Sequence, residues 1–229
     1  MFTVLAFAVA LLGSPQTAGP SFDCTRASTV VERTICADPG LGRLDRRMAT
    51  RFAVLRRELD PATRAALLED QRGYLWARDE MFDAMPAVER SNYLRMDMRA
   101  RANFLDAVAT APRAGLTGYW SNFMGDVFVS RRPDGKLRIR AFAAEPTTGR
   151  WTCDFDVNAR PVGAKAHGVP ADTPDPYLSD DGEWAINLER HGTLLKLDEC
   201  CQAGYCGLNG TISGVYLPLD GGLPPRLRD

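Results

Sequence analysis

Apolar residues in the first half of the chain recur at steps of three and four, which is the period of an amphipathic helix. Asp38 and Pro39 are typical of a helix N-cap and first turn, and Asp60 and Pro61 repeat this start signal. The apolar stripe between the two signals consists of Leu41, Leu44, Met48, Phe52, Leu55 and Leu59. The pattern predicts one helix that ends near Leu59 and a second that begins at once. So short a joint predicts an antiparallel hairpin.

The helical period continues beyond this joint. The second helix is predicted to bury one face, formed by Leu68, Leu75 and Phe82. Pro86 opens a further helix, whose apolar positions are Leu94, Met98, Leu105 and Val108. Residues 111–115, Ala-Pro-Arg-Ala-Gly, are typical of a linker. The sequence therefore predicts an all-α unit over residues 19–110, followed by this linker.

Beyond Leu116 the pattern changes to short apolar runs separated by turn residues. The runs 127–129 and 137–142 flank a Pro-Asp-Gly turn and predict a hairpin. Further strands are predicted at 151–157, 184–188, 194–197 and 212–217. The related elements Gly118-Tyr119-Trp120 and Gly214-Val215-Tyr216 predict that the first and last strands lie side by side. The fold class is therefore α+β: an N-terminal all-α helical hairpin or bundle, then a small antiparallel β sheet or barrel over 116–229.

The only long apolar run covers residues 4–13, far fewer than the roughly 20 residues that span a bilayer. It is typical of the central region of a secretory signal peptide with cleavage after Ala18, so residues 1–18 are predicted to be a signal peptide. The run departs from the usual signal-peptide pattern in that no Lys or Arg precedes it. The alternative interpretation of the run is a buried N-terminal helix. Ser14 stands where a lipidated cysteine would be required, which predicts no stable membrane anchor. The expected location is periplasmic or secreted.

The composition is that of an ordinary globular protein, with 229 residues of which 45% are hydrophobic and 25% charged. The 28 Lys and Arg residues face 29 Asp and Glu residues, which gives a net charge of -1. A chain with so small a net charge has no overall basic field to hold nucleic acid or an anionic membrane. We therefore expect no nucleic-acid partner.

The cysteines form an even number in a chain expected to be exported, which favours disulfides over free thiols. They are Cys24, Cys36, Cys153, Cys200, Cys201 and Cys206. Because two precede residue 40 and four follow residue 150, each half is expected to carry its own bridges. The rival interpretation is a zinc site formed by Cys200, Cys201, Cys206 and His191, but no C-x2-C pair is present. We therefore expect no metal.

The polar residues of the helical half have two interpretations. They line a site, or they form a solvated or capping network with Trp76 in the core, which is the favoured interpretation. These residues are Glu32, Gln71, Trp76, Arg78 and Asp79, and the adjacent Arg78 and Asp79 are expected to point to different parts of the helix surface. The only histidines, His167 and His191, fall in apparent loops or turns without an evident orienting partner. No catalytic residue, cofactor or enzymatic activity is predicted, and hydrolysis by a carboxylate pair is the alternative.

A set of residues in the helical half resembles the N-terminal domain of the LprI-like lysozyme inhibitor family over residues 22–108. The set comprises Phe22, Asp23, Cys24, Ala27, Glu32, Ile35, Cys36, Leu41, Leu44, Asp45, Gln71, Trp76, Arg78 and Asp79. The resemblance implies a small exported helical unit that binds and inhibits lysozyme. The family usually has two more cysteines, and Met81 and about Tyr93 occupy their places here. Their joint absence implies that they bridge each other in the family, which leaves Cys24 and Cys36 as a pair.

The cysteine-containing segments of the second half resemble the C-terminal β domain often found behind LprI-like units. These segments are Trp151-Thr152-Cys153-Asp154-Phe155, Cys200-Cys201 and Tyr205-Cys206-Gly207. The preferred pairing joins Cys153 to Cys200 or Cys201, with the other of these two closing a small loop to Cys206. Four cysteines allow three arrangements, and the sequence leaves all of them open.

An acidic, proline-containing segment lies between the predicted strands and contains Asp172, Asp175, Asp180, Asp181 and Glu183. Its spacing does not match the EF-hand calcium template, which favours a solvated loop. Lysozymes are generally basic and carry catalytic carboxylates in a cleft, so a projecting acidic loop would help an inhibitor to approach and block that cleft. The candidate partner contacts are Asp175, Tyr177, Asp180 and Asp181, and a helical face is the alternative contact.

Together these observations predict an exported, disulfide-bonded binding protein that occludes lysozyme or another peptidoglycan hydrolase without catalysis of its own. The alternative is a periplasmic structural module that binds a cell-wall component or another envelope protein. The sequence leaves the oligomeric state open.

Overall fold

The computed structural model describes residues 19–170, 186–199 and 206–221. The predicted signal peptide lies outside the described residues. The described part contains a helical unit followed by a β barrel, which confirms the predicted α+β order. None of the described helices combines the length and the hydrophobicity needed to cross a membrane.

The helical unit consists of a short 3-10 turn and four α-helices. The turn is Cys24–Arg26, and the helices are Val30–Ala37 (α1), Pro39–Glu58 (α2), Pro61–Asp83 (α3) and Ala87–Ala107 (α4). Asp38 caps α2 by accepting hydrogen bonds from the backbone N–H groups of Gly40 and Leu41, and Asp60 caps α3 in the same way. Both predicted helix starts are confirmed, as is the end of α2 next to Leu59.

The packing of the helices differs from the predicted hairpin. Helix α2 packs most closely along α4, and α1 contacts both α2 and α3. The predicted antiparallel hairpin of α2 and α3 is therefore wrong. Leu59 and Asp60 between the two helices are both non-helical, with ψ of 146° and 161°, and α2 and α3 make few contacts with each other.

Helix α3 buries a different face from the predicted one. Its buried residues are Thr63, Leu67, Asp70, Tyr74, Ala77, Arg78 and Phe82. Of the predicted face, Phe82 is buried, but Leu68 is half-buried and Leu75 is exposed. The prediction fails because the true face includes two charged residues, Asp70 and Arg78, which an apolar pattern does not register. On α4 the prediction is confirmed, with burial of Leu94, Met98, Leu105 and Val108.

The second half forms a closed antiparallel barrel of eight described strands, in which each strand pairs with its neighbour in sequence and β1 pairs with β8. The strands are Gly118–Ser121 (β1), Gly125–Arg131 (β2), Leu137–Ala144 (β3), Thr152–Val162 (β4), Lys165–Pro170 (β5), Ile186–His191 (β6), Leu194–Glu199 (β7) and Gly214–Leu219 (β8). The predicted contact of the first and last strands is confirmed, with Trp120 opposite Pro218. Side chains such as Trp120, Ile139 and Tyr216 fill the interior, as expected for a small barrel. The sequence pattern misses β5.

The helical unit and the barrel share one apolar cluster, because Leu217 and Leu219 of β8 pack in the core of the helical unit. The backbone N–H of Ala109 donates to Pro218 O at 2.9 Å. Within residues 111–115, Arg113 donates from Nη2 to Leu219 O at 2.8 Å. Both apolar packing and hydrogen bonds therefore hold the barrel against the helices.

The described residues contain two disulfides, one from Cys24 to Cys36 and one from Cys153 to Cys206. The first confirms the pair implied by the family resemblance. The second shows that the preferred pairing of Cys153 with Cys200 or Cys201 is wrong. Cys153 in β4 lies opposite Cys206 as an isolated antiparallel bridge, which brings these two thiols together. Cys200 and Cys201 lie outside the described residues.

Candidate functional site

A cleft of about 390 Å³ lies where α3 and α4 meet the turn between β1 and β2. Its lining combines aromatic rings with charged side chains, which include Tyr74, Asp97, Arg101, Phe104, Tyr119, Phe123 and Asp126. Ligand pockets typically enclose about 300–1,000 Å³ and combine apolar walls with a few placed polar groups. This cleft is therefore the candidate functional site.

A buried ion pair supports the helical wall of the cleft. Asp70 Oδ2 lies 2.6 Å from Arg101 Nη2, and the two side chains are only 6% and 3% exposed. Gln71 Oε1 accepts two further hydrogen bonds from Arg101, from Nε at 3.0 Å and from Nη2 at 2.7 Å. Burial raises the pKa of the Asp70 carboxyl above its ordinary value, and the Arg101 guanidinium acts in the opposite direction. The charge of Arg101 is thus balanced within the protein.

The Arg101 guanidinium also stacks on aromatic rings of the cleft. Its Cζ atom lies 4.8 Å from the ring centroid of Tyr74 and 4.3 Å from that of Phe104. A guanidinium at this distance from a ring face is attracted by the ring quadrupole. Arg101 is therefore fixed in place by a carboxylate, an amide and two rings.

The barrel wall of the cleft is fixed to α3 through the β1–β2 turn. The backbone N–H of Phe123 donates to Asp70 Oδ1 at 2.7 Å. The Phe123 ring packs on Gly73, where an added Cβ would lie 2.5 Å from Phe123 Cε1. Asn122 Oδ1 accepts from the N–H groups of Met124 and Gly125, both at 2.9 Å, which holds the turn in shape. Asp70 therefore connects both walls of the cleft.

Each wall also carries a tyrosine that donates to an aspartate. On the helical wall, the Tyr74 hydroxyl donates to Asp97 Oδ2 at 2.7 Å. On the barrel wall, the Tyr119 hydroxyl donates to Asp126 Oδ1 at 2.6 Å. Burial raises the pKa of the Asp97 carboxyl, against the lowering effect of the hydrogen bond from Tyr74. Burial also raises the pKa of the Tyr74 hydroxyl well above its ordinary value.

Exposed apolar side chains lie on the helices beside the cleft. On α4, Tyr93 is 51% exposed and Met96 is 67% exposed. Tyr93, Met96 and the cleft residue Ala100 are three and four positions apart, so they share one face of α4. On α3, Trp76 is 56% exposed, and its predicted place in the core is wrong because Tyr74 and Ala77 occupy the buried positions of that turn.

The polar residues singled out in the sequence have mainly structural contacts. Glu32 forms a capping box with Thr29 at the start of α1. Arg78 donates to Asp79 Oδ1 from Nε at 2.9 Å and from Nη2 at 2.7 Å. The prediction that these neighbours point to different parts of the helix surface is wrong, because their side chains contact each other. The expected capping contact is confirmed for Glu32, but Arg78 is buried rather than solvated.

The two histidines lie in the barrel. His167 belongs to strand β5, and its Nδ1 lies 2.5 Å from Asn187 Oδ1, so its predicted place in a loop or turn is wrong. His191 is the last residue of β6, directly before the turn to β7, and its Nε2 lies 3.5 Å from Glu189 Oε2. The predicted contacts Asp175, Tyr177, Asp180 and Asp181 lie outside the described residues.

The cleft residues were missed by sequence reasoning, although one signal marks them. Arg101 stands between Met98 and Leu105 on the apolar stripe of α4, where a charged residue needs a buried partner. Asp70 occupies the same kind of position on α3. Within the described residues, no group of three or more His, Cys, Asp or Glu side chains is placed to hold a metal ion.

No protein-family model matches the chain, and no curated protein or solved structure shows significant similarity to it. The resemblance to the LprI-like family therefore stays a prediction, and the function is argued from the contacts described above.

Proposed function

We propose that this chain is an exported binding protein of the LprI-like lysozyme-inhibitor type, which occludes a peptidoglycan-cleaving enzyme without chemistry of its own. The two disulfides support an oxidising location such as the periplasm or the cell exterior. Residues that carry the resemblance have supporting contacts in the helical unit. Cys24 and Cys36 form a bridge, Glu32 caps α1 and Gln71 holds Arg101.

One observation carries the binding proposal, namely the exposure of Trp76 on α3 and of Tyr93 and Met96 on α4, the two helices that line the cleft. Tryptophan, tyrosine and methionine are enriched in protein interfaces, and aromatic anchors contribute much of the binding free energy. An exposed tryptophan on a helix leaves a large apolar surface in water, and a partner protein would remove that surface from water. We therefore place the partner contact on α3 and α4.

The surrounding scaffold is suited to binding because polar contacts fix its elements to one another. Helices α3 and α4 are fixed to each other by the Asp70 and Arg101 ion pair and to the barrel by the Phe123 contact. A preformed surface loses less conformational entropy on association than a mobile one.

The test is equilibrium binding of the oxidised protein to lysozymes of several classes, with cell-wall lysis measured in the same samples. We expect saturable binding that tracks the loss of lysis. Trp76→Ala should weaken binding roughly tenfold or more, as expected for an interface anchor. Leu208→Ala is the matched control, because Leu208 is 89% exposed in the barrel half and lies outside the proposed contact. Absence of binding by folded, thiol-free protein would contradict the proposal.

The cleft itself favours a second candidate, a periplasmic envelope module that binds a cell-wall component. A concave site with aromatic walls and carboxylates can hold a small ligand. Binding of soluble peptidoglycan fragments, with no effect on any lysozyme, would favour this candidate over inhibition.

A further inference from the structure

The arginines in and around the cleft form ion pairs, but one of its carboxylates does not. Arg101 pairs with Asp70, and Arg78 pairs with Asp79. Asp97 accepts a hydrogen bond from Tyr74 through Oδ2 and feels the charges of Arg78 and Arg101 from a distance, but it forms no ion pair with a described residue. Asp97 is therefore a carboxylate on the cleft wall whose charge no cation of the described chain contacts directly.

Several other polar groups of the cleft have partners within the protein. Asn122 Oδ1 accepts two backbone N–H groups, and Ser121 Oγ donates to Gly125 O at 3.0 Å. Arg101 donates to Gln71 from Nε and Nη2, and its Nη2 also lies 2.6 Å from Asp70 Oδ2. The lining carboxylates Asp97 and Asp126 add acceptor capacity and negative charge to the cleft, which a cationic hydrogen-bond donor would complement.

The walls of the cleft are also suited to a cation. On the helical side, Phe104 and Tyr74 each hold the Arg101 guanidinium against a ring face, so those two faces are occupied by a cation of the protein. Tyr119 and Phe123 line the opposite, barrel side. Aromatic faces next to a carboxylate attract ammonium and guanidinium groups more strongly than either feature alone.

The surroundings favour a protein as the source of this cation. The face of α4 that lines the cleft at Ala100 continues outward through Met96 and Tyr93, which are exposed. A free amine would fill only the cleft, whereas a basic side chain of a partner protein would bring apolar surface onto this neighbouring face as well.

From these observations we infer that the cleft binds a lysine or arginine side chain of the partner protein, with Asp97 as its counter-ion. The inference rests on the proposed function, because it names the contact through which the partner is held. It also supplies a basis for selectivity, since a partner without a projecting basic residue would bury the Asp97 carboxylate in a closed interface without a direct ion-pair partner.

The test compares the wild-type protein with Asp97→Asn and with Glu69→Gln, using a basic lysozyme and isothermal calorimetry at neutral pH. Asparagine keeps an acceptor for the Tyr74 hydroxyl and removes only the charge. Glu69 is an exposed residue of α3 that pairs with Arg72, so Glu69→Gln is a charge-matched control outside the cleft. We expect Asp97→Asn to weaken lysozyme binding roughly tenfold or more and Glu69→Gln to change it less than about twofold.

A second readout uses agmatine, a small guanidinium compound, in an NMR titration of the same three proteins. We expect agmatine to shift the aromatic signals of Phe104 and Tyr119 in the wild type and in Glu69→Gln but not in Asp97→Asn. Tyr74→Phe tests for a structural effect, because it removes the hydrogen bond and leaves the carboxylate. Equal loss of binding in Tyr74→Phe and Asp97→Asn would overturn the counter-ion role.

The outcomes separate this inference from the proposed function. Lysozyme binding that is unchanged by Asp97→Asn would overturn the inference and leave the proposed function standing. If the wild type bound no hydrolase, the proposed function would fail, and agmatine binding that depends on Asp97 would still support a cation pocket. Binding of peptidoglycan fragments that depends on Asp97, without binding of any hydrolase, would overturn the assignment of the cation to a protein.

Discussion

Asp70 and Arg101 form an ion pair across α3 and α4, with 2.6 Å between Oδ2 and Nη2 and with both side chains more than nine-tenths buried. The same aspartate accepts the backbone N–H of Phe123 from the barrel. One carboxylate thus links two helices and the barrel, and it is the point where the walls of the cleft meet.

The first prediction concerns this pair. Asp70→Asn should lower the free energy of unfolding by about 3–5 kcal/mol, because it leaves the Arg101 charge buried without a counter-ion. Chemical denaturation at neutral pH measures the effect, with Glu69→Gln as the exposed control on the same helix. The double variant Asp70→Leu with Arg101→Met should recover part of the loss, since an apolar pair of similar size often replaces a buried ion pair at little cost, whereas the Phe123 N–H loses its acceptor. A single Asp70→Asn variant as stable as the wild type would contradict this account.

The ion pair also shows where sequence reasoning reached its limit. Asp38 with Pro39 and Asp60 with Pro61 mark helix starts through local hydrogen bonds, so the starts of α2 and α3 and the end of α2 were predictable. The buried face of α3 depends on a partner 31 positions away in the chain, at Arg101, and no local pattern contains that contact. The buried face of α3 therefore contains charged residues and differs from the apolar face that the sequence pattern predicts.

The barrel shows the same division. The Pro-Asp-Gly turn and the alternation of residues 137–142 predict β2 and β3, because a hairpin is formed by neighbouring residues. Strand β5 lacks an apolar run, since it carries Lys165, His167 and Gly168, and its pairing with β4 gives it its structure. The cleft needs both units in place, so its residues were not predictable as a group.

The second prediction concerns pH and Asp97. Tyr74, Arg78 and Arg101 are the titratable groups that face this carboxyl. Burial raises the pKa of Asp97 in the folded protein above its value in the unfolded chain, which is about 4. The folded state therefore binds the proton more tightly, so this group contributes stability that is present below the unfolded pKa and is lost as pH rises through the folded pKa.

Urea denaturation of the wild type and Asp97→Asn between neutral pH and pH 4 tests this sign. The wild type should gain stability relative to Asp97→Asn as the pH falls, because asparagine has no proton to take up. If the difference in free energy of unfolding between the two proteins did not change with pH, or if it changed in favour of Asp97→Asn as the pH fell, the Asp97 carboxyl would not be desolvated in solution.

The third prediction concerns Asp60, which caps α3 and also accepts a hydrogen bond from the Thr193 hydroxyl of the barrel at 3.1 Å. Asp60→Ala should cost about 1–2 kcal/mol of stability through loss of the cap. The hydrogen bond from the Thr63 hydroxyl is the largest cause of the lowered pKa of Asp60. The contribution of Asp60 to stability is therefore present above its unfolded pKa and is lost as the pH falls through its folded pKa. Glu80→Ala, at an exposed position of α3, is the control. Equal stability of the two variants at neutral pH would contradict the capping role.

The fourth prediction compares the two disulfides. The bridge from Cys153 to Cys206 spans 53 positions, and the bridge from Cys24 to Cys36 spans 12. A bridge restricts the unfolded chain more when its loop is longer, and the chain-entropy relation gives about 4 kcal/mol for the barrel bridge and about 3 kcal/mol for the helical bridge.

Serine substitution of each pair, followed by denaturation of the oxidised proteins, measures the two losses separately. The barrel variant should lose more stability than the helical variant, and peptide mapping of the wild type should recover Cys153 linked to Cys206. A larger loss in the helical variant would mean that strain or residual structure in the unfolded chain outweighs loop length. If peptide mapping found Cys153 linked to another cysteine, it would contradict the bridge that places Cys206 opposite Cys153 of β4.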